Sequence, residues 1–289
     1  MEKKMNGKNM LMCLAQVILI VAVYKIAMLI IETIATPIYQ NIGWLEEGKR
    51  MTVTSEFTVS NVIAYSIGIL IALGGYCAIV KNKKSNIISY TSLNKINVKC
   101  LVLAALFGFC VNTTVMYVMM LGQSNKSLGS IYATYLVSAR SGNVWIMLLF
   151  VGFLIPVFEE MIYRGLIFHL LRGYVSLPVA IVLQAVCFVI FEMLVGGSEF
   201  NVIETLYGFI MAVIFALLYV WSGSLWTSIF ARAFKNLAAL IIVAFINEDA
   251  FISGRYVIMT LSIIGIVATF IKMLHIGKVA KKENVAVES

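Results

Sequence analysis

Apolar runs of about 20 residues recur about eight times along the sequence, separated by charged or Gly-, Asn- and Ser-rich breaks. A helix of about 20 residues crosses a hydrocarbon core of ~30 Å. Backbone groups find no water in lipid, so a lone run of this length has to be helical. The sequence therefore predicts an all-α, polytopic integral membrane helical bundle with about eight transmembrane helices. The runs cover residues 11–34, 59–80, 100–121, 143–171, 175–195, 202–221, 224–246 and 257–274.

The composition assigns the whole chain, residues 1–289, to a single membrane domain. Hydrophobic residues make up 61% of the sequence, charged residues make up 12%, and the mean hydropathy is +0.96. These values exclude a soluble globular domain. Residues 122–142 have room for a short interfacial helix. The "NIGWLEEGKRMTVTSEF" loop at residues 41–57 is either a solvated loop or a surface for a cationic peptide.

The basic residues outside the runs indicate how the chain lies in the membrane. Most are on the side that holds both termini, including five lysines of the "KNKKSNIISYTSLNKINVK" loop at residues 81–99. Cytoplasmic loops carry an excess of lysine and arginine, so both termini of this multi-pass protein are expected in the cytoplasm. The first run is too long for a signal peptide and is expected to be a retained helix. The net charge of +8 then fits anionic membrane lipids as partners and does not indicate nucleic acid.

Histidine and cysteine give no sign of a metal site. The two histidines, His169 and His275, lie near helix ends, and no HExxH or comparable ligand spacing occurs. The five cysteines are scattered through the apolar runs without a CxxC pair, as expected of small packing residues. The sequence predicts neither a metal nor another cofactor.

Ionisable residues inside the apolar runs are the most informative feature, because such residues are costly in lipid and are usually paired and functional. Lys25 and Glu32 lie on one face of the first helix, which favours a structural ion pair. Glu204, near the start of the sixth run, is expected at the membrane interface. The rest converge on the fourth, fifth and seventh runs, and the "PVFEEMIYRGLIF" stretch at residues 156–168 holds three of them. They are Glu159, Glu160, Arg164, Glu192, Arg232 and Lys235, together with the amide of Asn236.

Helix geometry allows these groups to meet. Glu160 and Arg164 are four residues apart with the acid first, which is the favourable orientation for a side-chain pair. Arg232 and Asn236 share one face of the seventh helix by the same spacing. At ~1.5 Å per residue the groups lie roughly 13–24 Å from the cytoplasmic side. Pro156, just before the glutamates, is able to kink its helix there. One buried polar pocket near the middle of the membrane is the expected result.

Three stretches within residues 143–246 together resemble the CPBP family, also called Abi, of CAAX-type prenyl-protein endopeptidases and bacteriocin-processing or self-immunity proteins. "FEEMIYRG" is similar to the family's EExxxR motif and "FVIFE" to its FxxxH motif. "SGSLWTSIFARAFKN" is similar to the turn that leads into its HxxxN motif. Two positions depart from the pattern: Glu192 stands at the first motif histidine and Arg232 at the second.

The resemblance implies a role for each matching residue. Glu159 corresponds to the glutamate that activates water, Glu160 is its neighbour, and Arg164 orients or neutralises the pair. Asn236 corresponds to the asparagine that donates a hydrogen bond to the oxyanion of the tetrahedral intermediate. A histidine beside a glutamate exchanges a proton near neutral pH, and the loss of both histidines removes that proton carrier.

Three interpretations of the pocket remain. In the favoured one, Glu192 and Arg232 form a compensating ion pair. The protein is then a non-catalytic relative, a bacteriocin self-immunity protein or a regulatory scaffold for a peptide or membrane-protein partner. In the second, Glu159 and Glu192 share a proton, and Arg232 and Asn236 form the oxyanion site of an active intramembrane endopeptidase. In the third, the charges only hold helices together.

Two faces rich in small residues fit either packing within the bundle or contact with a partner. They are "GILIALGG" at residues 68–75 and "LFGFCV" at residues 106–111. A transporter is disfavoured because the two halves show no inverted repeat. The expected location is a bacterial cell membrane, and the sequence leaves the oligomeric state open.

Overall fold

The computed structural model describes residues 7–41, 59–81, 87–93, 96–122, 144–196, 202–245 and 252–288. Every regular element in these stretches is helical, which confirms the all-α prediction, and each predicted run coincides with a helix. The helices are α1 (Gly7–Asn41), α2 (Val59–Lys81), α3 (Ile87–Tyr90), α4 (Val98–Leu121), α5 (residues 144–172), α6 (Leu177–Gly196), α7 (Val202–Ser222), α8 (Leu225–Phe245) and α9 (Arg255–Glu288).

Some sequence expectations fall on parts of the chain that the structure does not describe. The interfacial helix expected within residues 122–142 and the loop at residues 41–57 lie almost wholly outside the described stretches. The side chains of Lys25 and Glu32 are also outside them, so their ion pair stays a prediction.

The described helices are those of a multi-pass membrane protein. Four are long and apolar enough to cross a membrane by length and composition: Val98–Leu121, Val202–Ser222, Leu225–Ile242 and Arg255–Val279. Shorter apolar helical stretches cover Leu11–Tyr24, Ser66–Ala78 and Leu177–Phe191. Large aliphatic side chains are exposed on these helices. A soluble protein seldom exposes so much apolar surface, whereas such a surface is compatible with surrounding lipid.

Helix α8 packs along α4 and also contacts α5 and α7. The close contact of α4 with α8 depends on Gly108 of α4. A Cβ there would overlap the carbonyl oxygen of Ala231 on α8 and lie 2.9 Å from its carbonyl carbon. Gly75 of α2 has a similar role, since a Cβ there would lie 2.7 Å from Cγ1 of Val23 on α1. At these two positions the small-residue faces serve packing within the bundle.

Helix α5, which carries both glutamates, is irregular. Two π-helical segments, Phe150–Leu154 and Met161–Ile167, flank the α-helical segment Ile155–Glu160. Such segments are rare and are frequently found at functional sites. In the first segment the N–H of Ile155 bonds to the carbonyl of Phe150. The next bond of that pattern would join residue 156 to Val151, but Pro156 has no N–H, so the Val151 carbonyl is left for another donor.

A short turn, residues 87–93, packs against the last part of α5 and the start of α8. Thr91 is fully buried, and a Cβ on Gly165 would lie 2.7 Å from its Cγ2 atom. The indole Nε1 of Trp226 donates a hydrogen bond of 2.7 Å to the carbonyl of Leu93. The turn is thereby joined to both helices that carry the ion-pair residues.

Candidate functional site

Glu160 and Arg164 form a completely buried ion pair on α5. Arg164 Nη1 donates to Glu160 Oε1 at 2.8 Å, and both side chains are 0% exposed. This confirms the pairing expected from their spacing. Arg164 Nη2 also donates to the carbonyl of Ala212 on α7 at 2.9 Å. The guanidinium carbon lies 5.8 Å from the ring centroid of Phe188 and 5.6 Å from that of Phe215, where cation–π attraction is favourable.

Arg232 of α8 bridges the two glutamates. Its Nη2 pairs with Glu159 Oε2, and its Nη1 donates to Glu160 Oε1 at 3.3 Å. Oxygen Oε1 of Glu160 therefore accepts from two guanidinium groups. The Arg232 guanidinium carbon lies 4.8 Å from the ring centroid of Phe188 on α6. Glu159, Glu160, Arg164 and Arg232 are called the ion-pair cluster below, and their formal charges sum to zero.

The four members of the cluster differ in access. Glu159 is 19% exposed and Arg232 is 10% exposed, whereas Glu160 and Arg164 are sealed. Glu159 is thus the carboxylate that a molecule from outside the cluster would meet first.

Asn236 lies one turn beyond Arg232 and contacts the irregular part of α5. Its Nδ2 donates to the carbonyl of Val151 at 3.0 Å. That carbonyl is the one that Pro156 leaves without a backbone donor. The hydrogen bond joins α8 to α5. It also connects Asn236 to Pro156, since the amide of Asn236 binds the carbonyl that the proline leaves without a donor.

The remaining predicted residues are placed less completely. Glu192 lies on α6, but its side chain is outside the described residues. Its pairing with Arg232 and its proton sharing with Glu159 therefore stay predictions. The Nζ atom of Lys235 lies 5.6 Å from the ring centroid of Tyr207 on α7. Among the described residues, no group of three or more His, Cys, Asp or Glu side chains is placed to hold a metal ion.

Sequence reasoning missed Gln184 of α6. This residue is fully buried, and its Nε2 donates to the carbonyl of Ala212, the same oxygen that Arg164 contacts. The available signal was an uncharged amide inside an apolar run, which is often used for contacts between membrane helices. A search restricted to charged residues passes over it.

The ion-pair cluster joins helices by charge and hydrogen bonding. Through Arg232 it ties α8 to α5, and through Arg164 it ties α5 to α7. In a low-dielectric interior each charge needs a partner, and loss of one partner strands the other. The cluster therefore holds α5, α7 and α8 together by buried ion pairs and hydrogen bonds within an apolar bundle, and this structural role is called the clamp below.

Residues 141–238 match the family model described as Type II CAAX prenyl endopeptidase Rce1-like. The chain contains an Rce1-like segment. This segment runs from α5 into α8 and includes every member of the ion-pair cluster, Gln184 and Asn236. The match confirms the family resemblance that the motifs indicate. No curated protein and no solved structure matches the chain.

Proposed function

We propose that this protein is a non-catalytic relative of the CAAX endopeptidases. It acts as a self-immunity protein against a bacteriocin peptide or as a regulatory scaffold for a membrane partner. The observation that carries the proposal is the bridging position of Arg232. By the motif resemblance this arginine takes the position of the family's second motif histidine, and it contacts both glutamates.

An arginine at this position disfavours hydrolysis. A peptide hydrolase needs a group that accepts a proton from water and later returns it to the leaving group. A guanidinium stays charged in proteins and has no acceptor atom. Because Arg232 pairs with Oε2 of Glu159, a water molecule has to compete with an ion pair for that carboxylate oxygen.

The contact made by Asn236 supports the same conclusion. A donor that stabilises an oxyanion has to point at the place where negative charge develops. The Nδ2 atom of Asn236 instead donates to a backbone carbonyl of α5. In this proposal its role is to hold α8 against the irregular segment of α5.

The proposal places the protein in a bacterial cell membrane with both termini in the cytoplasm. The lysine-rich loop at residues 81–99 then faces anionic lipid headgroups, which attract such segments. A peptide or a membrane protein is the expected partner.

A second candidate function is favoured by the partial exposure of Glu159. In that account the protein is an intramembrane endopeptidase with Glu159 as the base. The 19% of this side chain that is exposed offers a place for water. Arg232 and Asn236 would then donate to the oxyanion, and Glu192 would share a proton with Glu159.

Counting new protein termini in host membranes separates the two functions. The comparison uses wild type, Glu159→Gln and Glu160→Gln at equal membrane abundance. Glutamine keeps the shape of glutamate but is not a base. The matched control is Glu204→Gln, because Glu204 lies exposed at the start of α7. We expect the same set of termini in all four samples.

The same cells are tested for sensitivity to a panel of membrane-active bacteriocin peptides. Protection that persists in Glu159→Gln supports the scaffold function. Termini that occur with wild type and Glu204→Gln but vanish with Glu159→Gln would overturn it and establish the endopeptidase.

A further inference from the structure

Gln184 lies in α6 beside the ion-pair cluster. Its Nε2 donates to the carbonyl of Ile181 at 3.1 Å and to that of Ala212 at 3.0 Å. The Ala212 carbonyl also accepts from Nη2 of Arg164 at 2.9 Å. Two side-chain nitrogens from different helices thus lie within hydrogen-bond distance of one oxygen.

Three buried atoms of this network have no hydrogen-bond partner among the described residues: Oε1 of Gln184, Nε of Arg164 and Oε2 of Glu160. Each belongs to a side chain that is 0% exposed, and each chain is already held in place through another of its atoms. A buried polar group surrounded by protein and lipid is strongly destabilising when it has no hydrogen-bond partner. Three such atoms in one network indicate a ligand.

The three atoms define what the ligand has to be. Two are acceptors and one is an N–H donor, so the ligand has to donate twice and accept once. A metal cation cannot accept from Arg164, and a fully deprotonated anion cannot donate to Glu160. A buried water typically makes about three hydrogen bonds to such groups. A small neutral hydroxyl compound matches, and water is the one present in every cell.

We propose that Gln184, Arg164 and Glu160 bind one or two buried water molecules inside the membrane domain. Water accepts from Nε of Arg164 and donates to Oε1 of Gln184 and Oε2 of Glu160. Gln184 is a positioning residue in this site, since its amide is anchored on the Ala212 carbonyl. The inference does not rest on the proposed function, because the site hydrates the buried ion pair whether or not a peptide is cleaved.

Radiolytic labelling of the full chain in lipid nanodiscs tests the site. X-ray pulses in heavy-oxygen water convert bound water to hydroxyl radicals that label neighbouring side chains, and mass spectrometry reads the labels. Phe188 and Phe215 are the reporters, because both rings lie beside the Arg164 guanidinium. Phe150 is the reference, since it is 2% exposed, as is Phe215. We expect Phe215 to take up several-fold more heavy oxygen than Phe150. Phe188 is 8% exposed, so its labelling is compared between wild type and the variants.

The Gln184→Leu variant tests the positioning role. We expect its Phe215 labelling to fall to the level of Phe150 and its Phe188 labelling to fall below that of wild type. The matched control is Asn112→Leu, which removes another buried amide, on α4, and it is expected to leave the reporters labelled. Phe215 labelling no higher than that of Phe150 in wild type overturns the water site, and this result needs no variant. Full labelling in a folded Gln184→Leu protein overturns the role of Gln184.

Discussion

The Arg164→Met variant is expected to lose ~3–5 kcal/mol of unfolding free energy, since removing one partner of a buried ion pair leaves the other charge stranded. Methionine fills a similar length but has no donor. Among the described side chains, Arg232 at 3.3 Å then remains as a donor to Glu160, and Gln184 remains as a donor to the Ala212 carbonyl. Unfolding in mixed micelles, followed by helix content, gives the difference.

Two further variants show that the loss comes from the stranded charge. In the double variant Glu160→Gln with Arg164→Met both charges are absent, so part of the stability should return. Arg255→Met is the matched control, because Arg255 lies at the start of α9 and donates to the carbonyl of Ile252; a change within ~0.5 kcal/mol is expected. An Arg164→Met protein as stable as wild type would show that the Glu160–Arg164 pair does not contribute to the unfolding free energy.

The Gly108→Ala variant is expected to be destabilised by about 3 kcal/mol or more, at the upper end of what overpacking costs. The added Cβ meets the backbone of Ala231, which cannot rotate away as a side chain can. Helices α4 and α8 have to separate, and Arg232 and Asn236 move with α8. The measurement is the unfolding free energy in mixed micelles.

The control for this substitution is Gly74→Ala on α2. A Cβ at Gly74 meets nothing within 4 Å, so alanine is accommodated there. Its effect is expected to be neutral or a gain of up to ~1 kcal/mol, because alanine favours a helix over glycine. Equal stability of the Gly108→Ala and Gly74→Ala proteins would contradict the close contact between α4 and α8.

The parts of the fold that depend on local sequence could be predicted. The apolar runs predict the helices because length and hydropathy decide whether a segment crosses lipid. The Glu160–Arg164 pair was also predictable, because residues four apart on one helix have neighbouring side chains.

The partners of Arg232 and Asn236 could not be predicted in the same way. Which carboxylate Arg232 binds depends on the rotation and depth of α8 against α5, and no local spacing contains that information. The sequence did predict a disturbance at Pro156, but its form is a π-helical segment. Asn236 and Pro156 are connected by the Val151 carbonyl, to which Asn236 donates a hydrogen bond. Every residue has a backbone carbonyl, so the sequence does not show which one is used.

The 87–93 turn shows a different limit of sequence reasoning. Its flanking lysines predict a basic loop on the cytoplasmic side, yet Thr91 is fully buried against Gly165. Charge patterns report on the loop as a whole and do not identify the one residue that packs inward. Gln184 was missed for a related reason, because one uncharged amide hardly changes the hydropathy of its run.

The coupling between Glu159 and Arg232 tests most directly whether the cluster is a structural clamp. The unfolding free energies of wild type, Glu159→Gln, Arg232→Met and the double variant form a double-mutant cycle. If Arg232 holds Glu159 as the structure shows, each single variant loses stability and the double variant recovers part of it. The expected coupling is then ~1–3 kcal/mol. Additive losses would contradict the clamp, because they would mean that Glu159 and Arg232 do not stabilise each other. A Glu159→Gln protein more stable than wild type would also contradict it and would indicate that this carboxylate is kept for chemistry at a cost in stability.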